Sequence, residues 1–322
     1  MIEMTQAKLY EFKVDEVMDI YVLIKGVDVR VAKNGKRFLS LVFEDQSGEL
    51  PGMYWGASDE DVALFVPGKV VRLSAKRENY QGKPQVKIMG LRLATENEPH
   101  DPSYFMQHAP EKRNDIEDEI NQYIFEITQP TWARIVRNLL QKHREAFFTY
   151  PAAKTNHHAF AGGLSFHTLS MLRLGKAVVH QYDGINAPLL YAGTILHDVG
   201  KTTELSGPVS TSYTVAGNLV GHISIVDGEI VAACQTLKID PNQEDVLMLR
   251  HMILSHHGLL EYGSPVRPRM LEAEILHRLD EMDASIMMVK GALEHTESGE
   301  FSERIFGMDQ RSFYKPEEPN QN

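Results

Sequence analysis

Cysteine and long apolar runs are both scarce in this sequence. Its 322 residues include one cysteine, Cys234, so no disulfide can form within the chain. A chain without disulfides is typical of a reducing compartment, and we expect a cytoplasmic protein. No stretch approaches the ~20 apolar residues of a membrane-spanning helix. The first residues lack the basic start and apolar core of a signal peptide, so the sequence predicts no membrane partner.

The sequence also has no excess of Lys and Arg over Asp and Glu. The net charge of −11 disfavours, at first sight, a polyanionic partner such as nucleic acid. The charge is uneven, however: residues 1–95 carry 14 Lys and Arg against 13 Asp and Glu, a balance of +1, which leaves −12 for the rest of the chain. An acidic region can hold cations, and cations can hold phosphate, so a polyanionic substrate stays open.

The first part of the chain alternates short apolar runs with turn residues, a pattern typical of β-strands. The hairpin signal Lys33-Asn34-Gly35-Lys36 separates two of these runs. A short helix is predicted at 59–65, and the strands are predicted at 21–24, 27–31, 38–43, 50–55, 70–75, 76–80 and 85–93. About five strands with a small helix between the third and fourth is the layout of an OB-fold barrel, which often binds single-stranded nucleic acid.

The stretch from Lys36 to Gly48 resembles the second and third strands of nucleic-acid-binding OB domains. In such domains exposed aromatic side chains stack on bases and basic side chains follow the backbone. The resemblance makes five residues candidates for these contacts: Arg37, Tyr54, Trp55, Arg77 and Tyr80. Aromatic residues that alternate along a strand more often belong to the core, which is the alternative interpretation for each.

The character of the chain changes after the predicted barrel. Residues 96–114 are polar and contain three prolines, which predicts a linker. Apolar residues then recur at helical spacing, with helices expected at 115–125, from 130, and at about 163–181, 187–200, 217–237, 242–256 and 270–293. The sequence therefore predicts a multidomain α+β protein: a five-stranded OB-fold β-barrel at 1–95, a linker at 96–114, an all-α domain at 115–310 and a disordered tail at 311–322.

Histidine and aspartate residues lie inside or at the ends of these apolar helices, where a polar group needs a partner. Imidazole nitrogen and carboxylate oxygen together suit cations such as Zn, Mn and Fe. The helices would offer these ligands to a common point, as helical metal sites do. The candidates are His167, His197, Asp198, His222, His256, His257 and Asp280. Each one taken singly is more often a core histidine or a helix cap.

The order of these residues resembles the HD superfamily of metal-dependent phosphohydrolases. The resemblance implies a first cation with four ligands: His167, His197, Asp198 and Asp280. It implies a second cation, bridged to the first by Asp198, with three further ligands: His222, His256 and His257. Asp283 lies three residues beyond Asp280 and could replace or assist it, and the sequence leaves this choice open.

The implied chemistry is hydrolysis of a phosphate ester. Two divalent cations per chain, about 3.5–4 Å apart, can share a hydroxide for in-line attack on the phosphate. Asp198 would orient that hydroxide, and Lys201 would offset the charge that grows on the phosphate. The mixed ligands favour Mn, with Fe, Co, Zn or Mg as alternatives. His157 and His158 either contact the substrate phosphate or leaving oxygen, or form a surface pair without a role.

An OB barrel followed by an HD domain is similar to the YhaM family of bacterial 3′-to-5′ exoribonucleases. The most distinctive resemblance runs from Pro151 to Thr168. It implies a cytoplasmic, metal-dependent enzyme that favours Mn. Such an enzyme removes nucleoside 5′-monophosphates from the 3′ ends of single-stranded RNA, and also of single-stranded DNA, with the barrel capturing the strand.

Two other functions stay open at this point. The first is an HD phosphohydrolase acting on a small nucleotide or cyclic dinucleotide, with the barrel as a regulatory or oligomerisation module. The second is a non-catalytic binding protein with a structural metal. The oligomeric state is open as well, and a homo-oligomer would have its candidate interface at apolar residues near the end of the chain: Met287, Met288, Phe301, Ile305 and Phe306.

Overall fold

The computed structural model describes residues 6–33, 35–81, 83–154 and 158–317. The chain forms two compact units, Met1–His108 and Ala109–Asn322. The first contains a closed β-barrel and the second is helical. No helix in these described ranges combines the length and the apolar character needed to cross a membrane.

The barrel contains five strands and one short helix in the predicted order. The elements are β1 (Val17–Val31), β2 (Arg37–Asp45), β3 (Gly48–Trp55), α1 (Asp59–Leu64), β4 (Val70–Tyr80) and β5 (Lys83–Leu93). They close in the order β1-β2-β3-β5-β4. The contact between β3 and β5 is parallel, and the other pairs are antiparallel. The OB-type layout predicted from the sequence is therefore confirmed.

The first strand is longer than the sequence predicted. Two runs, 21–24 and 27–31, form one strand of 15 residues. Its first half pairs with β4 and its second half with β2, and the register shifts between Ile24 and Gly26. Such a bulge bends a strand and increases its twist, so one strand can serve two neighbours and close the barrel. The sequence analysis instead treated the interruption at Lys25-Gly26 as a break between strands.

Close packing at Gly52 closes the other side of the barrel. Gly52 of β3 lies opposite Val86 of β5. A Cβ atom at Gly52 would lie 2.9 Å from Val86 Cγ2 and 3.1 Å from Phe43 Cε2, and both of these side chains are buried. Glycine is therefore required where the two strands meet, because a larger side chain would push them apart.

We expect Gly52→Ala to lower the free energy of unfolding by about 1–3 kcal/mol, the usual cost of overpacking a core. Gly90→Ala is the matched control, since its Cβ would make an ordinary contact of 3.6 Å with Ser74 Cβ. Urea denaturation of the full-length chain measures both. Equal unfolding midpoints for the two variants would contradict the tight closure.

The segment after β5 is attached to the barrel unit and is not a free linker. Glu98 accepts a hydrogen bond from Tyr21 at 2.7 Å and pairs with Arg92 at 2.6 Å. Further along, Gln46 Nε2 donates to the carbonyl oxygen of Tyr104. The first compact unit consequently extends to His108, whereas the sequence placed the end of the domain at residue 95. The polar composition of this segment predicted a linker, but composition alone cannot predict contacts with distant residues of the barrel.

The second unit contains nine helices in the described residues. They are α2 (Arg113–Glu126), α3 (Pro130–Thr149), α4 (Gly163–Gln181), α5 (Ala187–Leu196), α6 (Lys201–Glu204), α7 (Val215–Leu219), α8 (His222–Leu237), α9 (Glu244–Ser255) and α10 (Leu271–Glu294). Helix α5 lies at the centre: its residues from Leu189 to Leu196 are all buried, and it contacts α3, α4, α9 and α10. Helix α5 is therefore the central helix of the unit, enclosed by the others.

Two predicted helices are shorter than expected, and both breaks lie next to candidate ligands. The helix predicted at 187–200 ends at Leu196, and a turn leads into α6. The helix predicted at 217–237 is divided into α7 and α8 by Gly221, whose φ of +76° is left-handed. A residue in that conformation interrupts a helix and is usually glycine. The break makes His222 the first residue of α8.

The tail predicted to be disordered from residue 311 is ordered over its described part, 311–317. Isolated bridges join Ile305 to Arg311 and Phe301 to Tyr314. Lys315 Nζ donates to the carbonyl oxygen of Thr296 at 2.7 Å, just after α10. A lysine that binds carbonyl groups at a helix C-terminus is stabilising there. The polar composition of the tail did not predict that it folds back against the C-terminal end of α10.

Candidate metal centre

The structure brings all seven predicted metal ligands together in the helical unit. They come from five places: His167 from α4, His197 and Asp198 from the end of α5, His222 from the start of α8, His256 and His257 from the end of α9, and Asp280 from α10. The side chains of His167, His197 and His256 are fully buried. Buried imidazoles need a proton acceptor, a donor or a cation as partner.

The ligands form two groups that share one carboxylate. In each group the potential ligand atoms lie within 4.8 Å of one another. The first group contains His167, His197 and Asp198, and the second contains Asp198, His222, His256 and His257. Asp280 extends the first group, since its Oδ1 lies 3.2 Å from His167 Nε2.

The two oxygens of Asp198 face different groups. Asp198 Oδ2 lies 3.3 Å from His197 Nε2 and 3.8 Å from His167 Nε2. Asp198 Oδ1 lies 3.4 Å from His222 Nε2 and 3.9 Å from His256 Nε2. A carboxylate with one oxygen toward each of two ligand groups has the arrangement of a bridging ligand.

Every histidine of the centre is held through Nδ1. His197 Nδ1 lies 2.7 Å from Thr194 O, and His256 Nδ1 lies 2.7 Å from Ile253 O. Because a carbonyl oxygen only accepts, Nδ1 carries the proton and Nε2 keeps its lone pair for a cation. The other three imidazoles have equivalent acceptors: His257 has Tyr262 O, His222 has Glu204 Oε1, and His167 has Asp283 Oδ2.

Four buried atoms of the centre have no hydrogen-bond partner among the described residues. They are His197 Nε2, Asp198 Oδ1, His222 Nε2 and His256 Nε2. Buried polar atoms are nearly always paired, and leaving one unpaired costs about 1–3 kcal/mol. Since these four belong to the two ligand groups, divalent cations would satisfy them all. The residues present therefore fit a divalent-metal centre.

Asp283, the alternative to Asp280, contacts the rear of His167. Asp283 Oδ2 accepts hydrogen bonds of 2.7 Å from His167 Nδ1 and from His158 Nε2, while its Oδ1 accepts one from the hydroxyl of Ser170. Asp280 instead lies beside His167 Nε2, on the ligand side. The geometry therefore favours Asp280 as the ligand and Asp283 as the residue that orients His167.

His158, predicted as a possible substrate contact, packs against Asp283 in the structure. The His158 side chain is fully buried, and its Nε2 lies 2.7 Å from Asp283 Oδ2. In this position the His158 ring supports the carboxylate of Asp283. His157 lies outside the described residues.

Opposing charges control the pKa values of Asp198 and Lys201. Burial raises the pKa of Asp198, but Lys201 and His197 outweigh it and hold that pKa well below its usual range. Burial lowers the pKa of Lys201, and Asp198 more than compensates, so that pKa is raised. Both groups are therefore charged, and Lys201 Nζ donates to Asp198 Oδ2 at 2.7 Å.

Burial has the opposite result for the pKa values of His256 and His257, which are both lowered. It lowers the pKa of His256 well below its ordinary value, and the neighbouring imidazoles of His257 and His197 add to the effect. The pKa of His257 is lowered by burial and by His222. Neutral imidazoles are the form that binds a metal ion, so these residues need not lose a proton first.

Close packing at Gly200 positions His222 relative to Asp198. A Cβ at Gly200 would lie 2.4 Å from the carbonyl oxygen of His222 and 2.9 Å from Val226 Cγ2. The start of α8 can therefore approach the turn after Asp198 only because residue 200 is glycine. This explains physically why a glycine follows the His-Asp pair at this distance.

Glu204 is a residue of the centre that was not among the candidates predicted from the sequence. Glu204 is buried, and its Oε1 accepts from both the backbone N–H and Nδ1 of His222, each at 3.1 Å. The available signal was a carboxylate six residues after Asp198, in a stretch that the spacing placed outside any helix. Glu204 fixes the His222 ring through the end of α6.

The barrel residues predicted to contact nucleic acid fall into two classes. Trp55 is 66% exposed and stacks on Phe38 with ring centroids 4.5 Å apart, and Tyr80 is 60% exposed. Both have an aromatic face available to a base. Phe38 is half-buried and lies beneath the exposed ring of Trp55.

The remaining barrel candidates are occupied by contacts within the unit. Arg37 is paired with Asp59. Tyr54 packs edge-on against Phe65 with centroids 5.5 Å apart. Arg77 Nη1 donates to the carbonyl oxygen of Phe12 at 2.9 Å. These side chains stabilise the barrel in the structure.

We expect Asp283→Asn to weaken cation binding about 10- to 100-fold, the usual effect of changing the residue that orients a histidine ligand. Glu274→Gln on the same helix is the matched control, since Glu274 is exposed and pairs only with Arg278 among the described residues. Isothermal titration with Mn²⁺ measures both. Unchanged affinity in Asp283→Asn would contradict an orienting role, and complete loss of one cation would identify Asp283 as a ligand.

Comparison with known proteins identifies the family. The family model for the HD domain matches residues 164–285. A protein of Listeria monocytogenes serotype 4b named 3'-5' exoribonuclease YhaM is 50% identical over 311 residues, which cover 97% of this chain and 99% of that protein. A Geobacillus protein of the same name is 48% identical over 308 residues, covering 96% of this chain and 94% of that protein.

Among solved structures, the second OB-fold domain of replication protein A from Methanococcus maripaludis matches 28% of this chain and 95% of its own, at 14% identity and a TM-score of 0.23. The two bacterial relatives span nearly the whole of both chains at about half identity. On that similarity, and with an HD domain that contains every predicted ligand, this chain belongs to the YhaM family of 3'-5' exoribonucleases.

Proposed function

We propose that this chain is a metal-dependent 3′-to-5′ exoribonuclease that hydrolyses single-stranded RNA from its 3′ end and releases nucleoside 5′-monophosphates. The observation that carries the proposal is the pair of ligand groups that share Asp198. The curated relatives that match nearly the full length carry the exoribonuclease name. No observation favours the alternative of a small nucleotide or cyclic dinucleotide as substrate.

The proposed first cation is held by His167, His197, Asp198 and Asp280, and the second by His222, His256, His257 and Asp198. The short distances from each Asp198 oxygen to the imidazole nitrogens of its own group support this division. Asp280 completes the first group because it lies beside His167 Nε2. A centre of five imidazoles and two carboxylates is better suited to Mn than to Mg. Mn is therefore the first choice, and Fe, Co or Zn are alternatives.

Divalent cations in such a centre would activate water and polarise the phosphate as Lewis acids. The chain itself contributes orientation and charge. Asp198 lies between the two ligand groups, with one oxygen toward each. Glu204 and Asp283 fix the rings of His222 and His167. Lys201 is only 12% exposed and its Nζ lies 2.7 Å from Asp198. An ammonium there stabilises the negative charge that develops on a phosphate in the transition state.

The proposed role of the barrel is to bind the single strand. Exposed aromatic rings stack on bases regardless of sequence, and Trp55 and Tyr80 provide such rings. The same surface would accept single-stranded DNA, because stacking does not depend on the ribose hydroxyl. A cytoplasmic location and a homo-oligomeric state remain predictions of the sequence.

We expect His197→Ala or Asp198→Ala to lower the rate of RNA hydrolysis by more than about 10³-fold, because each removes a proposed cation ligand. Binding of single-stranded RNA should survive, since the barrel is unchanged. The matched control is His180→Ala, an exposed histidine on the same helix as His167. Initial rates and a filter-binding assay measure the two properties. Near-normal hydrolysis by Asp198→Ala loaded with metal would refute the proposed centre.

Metal removal provides an independent prediction. A single-stranded RNA labelled at either end should release a labelled nucleoside 5′-monophosphate at once from the 3′ label, and only at the end of the digest from the 5′ label. EDTA should stop the reaction and Mn²⁺ should restore it, because the bound cations would activate the attacking water. Internal cleavage products, or activity that survives EDTA and dialysis, would contradict the proposal.

A further inference from the structure

A cavity of about 410 Å³ lies beside the proposed cation ligands in the helical unit. His222, His257 and Asp280 form part of its wall, so the two ligand groups lie at one side of the cavity. Sites for single small ligands measure roughly 300–1,000 Å³. The volume therefore suits one small ligand next to the centre.

The other walls have the chemistry of a nucleotide site. Lys154 and Lys201 contribute positive charge beside the carboxylates of Glu204 and Glu281, and Tyr213 and Tyr262 contribute aromatic rings. The Tyr262 side chain is 66% exposed, which is high for a large aromatic residue that lines a concave surface. An exposed ring beside a phosphate-binding centre is a platform on which a base can stack.

The backbone of Tyr262 is attached to a proposed cation ligand. Its carbonyl oxygen accepts a hydrogen bond from His257 Nδ1 at 2.6 Å. The short 3₁₀ turn Leu260–Tyr262 ends at Gly263, whose φ of +92° allows the chain to reverse there. The Tyr262 ring is therefore carried by the same turn that orients His257, and its position is coupled to the centre.

We infer that this cavity binds the 3′-terminal nucleotide of the RNA and that the base of this nucleotide stacks on Tyr262. The inference rests on the proposed exoribonuclease function. An enzyme that releases one nucleotide per turnover must hold the last nucleotide with its 5′ phosphate at the cations. Every base has a flat π-face, so stacking on Tyr262 accepts any terminal base and suits a nuclease that degrades RNA of any sequence.

The test uses two RNA oligonucleotides that differ only at the 3′ end. One ends in an ordinary nucleotide, and the other ends in an abasic residue with hydrogen at C1′. The variants are Tyr262→Ala and Tyr262→Phe, and the control is Tyr182→Ala. Tyr182 is 64% exposed and follows α4, and it does not line the cavity. KM and kcat are measured for release of the first nucleotide.

Tyr262→Ala should raise KM for the ordinary RNA roughly 5- to 150-fold, the effect of losing one base-aromatic stack. The kcat should stay near the wild-type value, because the stack is present both before and during the reaction. On the abasic RNA, Tyr262→Ala should match the wild type. Tyr262→Phe should restore a low KM, since it keeps the ring, and Tyr182→Ala should have no effect on either RNA.

An equal loss on both RNAs in Tyr262→Ala would overturn the inference, because the ring would then not contact the terminal base. A loss confined to the ordinary RNA in Tyr213→Ala, with Tyr262→Ala unaffected, would equally show that the stacking residue is not Tyr262. Failure of the proposed function has a different signature: the wild-type enzyme would release no 5′-monophosphate from the ordinary RNA.

Discussion

The arrangement of the candidate metal centre depends on the charged carboxylate of Asp198 and its contacts with the surrounding cationic and imidazole groups. This carboxylate lies at the end of α5, the central helix, where burial alone would make its ionised form unfavourable. Lys201 stabilises that charge from within the next turn, and four imidazole nitrogens lie within 4 Å of its two oxygens. The elements that carry these groups must all approach the end of α5, and Gly200 permits the close approach of α8.

Two of the candidate ligand histidines are oriented by the same local hydrogen bond at a helix C-terminus. His197 and His256 each follow the last residue of a helix, and each donates through Nδ1 to the carbonyl oxygen three residues earlier. The last carbonyl groups of a helix have no partner within the helix, so they are available as acceptors. A helix end thus fixes the orientation of the ring, and the helix interior supplies the apolar surroundings. His167 and His222 lack such a carbonyl and use the carboxylates Asp283 and Glu204 instead.

The sequence predicted what depends on spacing and residue type. Alternating strands separated by turn residues predicted the barrel, because that pattern is local. The candidate ligands came from the order of His and Asp residues along the chain, which resembles that of the HD superfamily, and the structure brings these side chains together. Contacts between distant segments were not predictable: Asp283 meets His158 across 125 residues, and Glu204 meets His222 across 18. The same limitation explains His158, whose loop position suggested access to substrate although its ring is buried. It also explains the tail, where Lys315 returns to the end of α10.

The proposed centre depends on Asp198 as the ligand that two cations would share. Anomalous diffraction from crystals soaked in Mn²⁺ tests this claim most directly. We expect two peaks about 3.5–4 Å apart, one beside each oxygen of Asp198. The first should also lie against His167, His197 and Asp280, and the second against His222, His256 and His257. A single peak, or a cation between His158 and Asp283, would contradict the proposed centre.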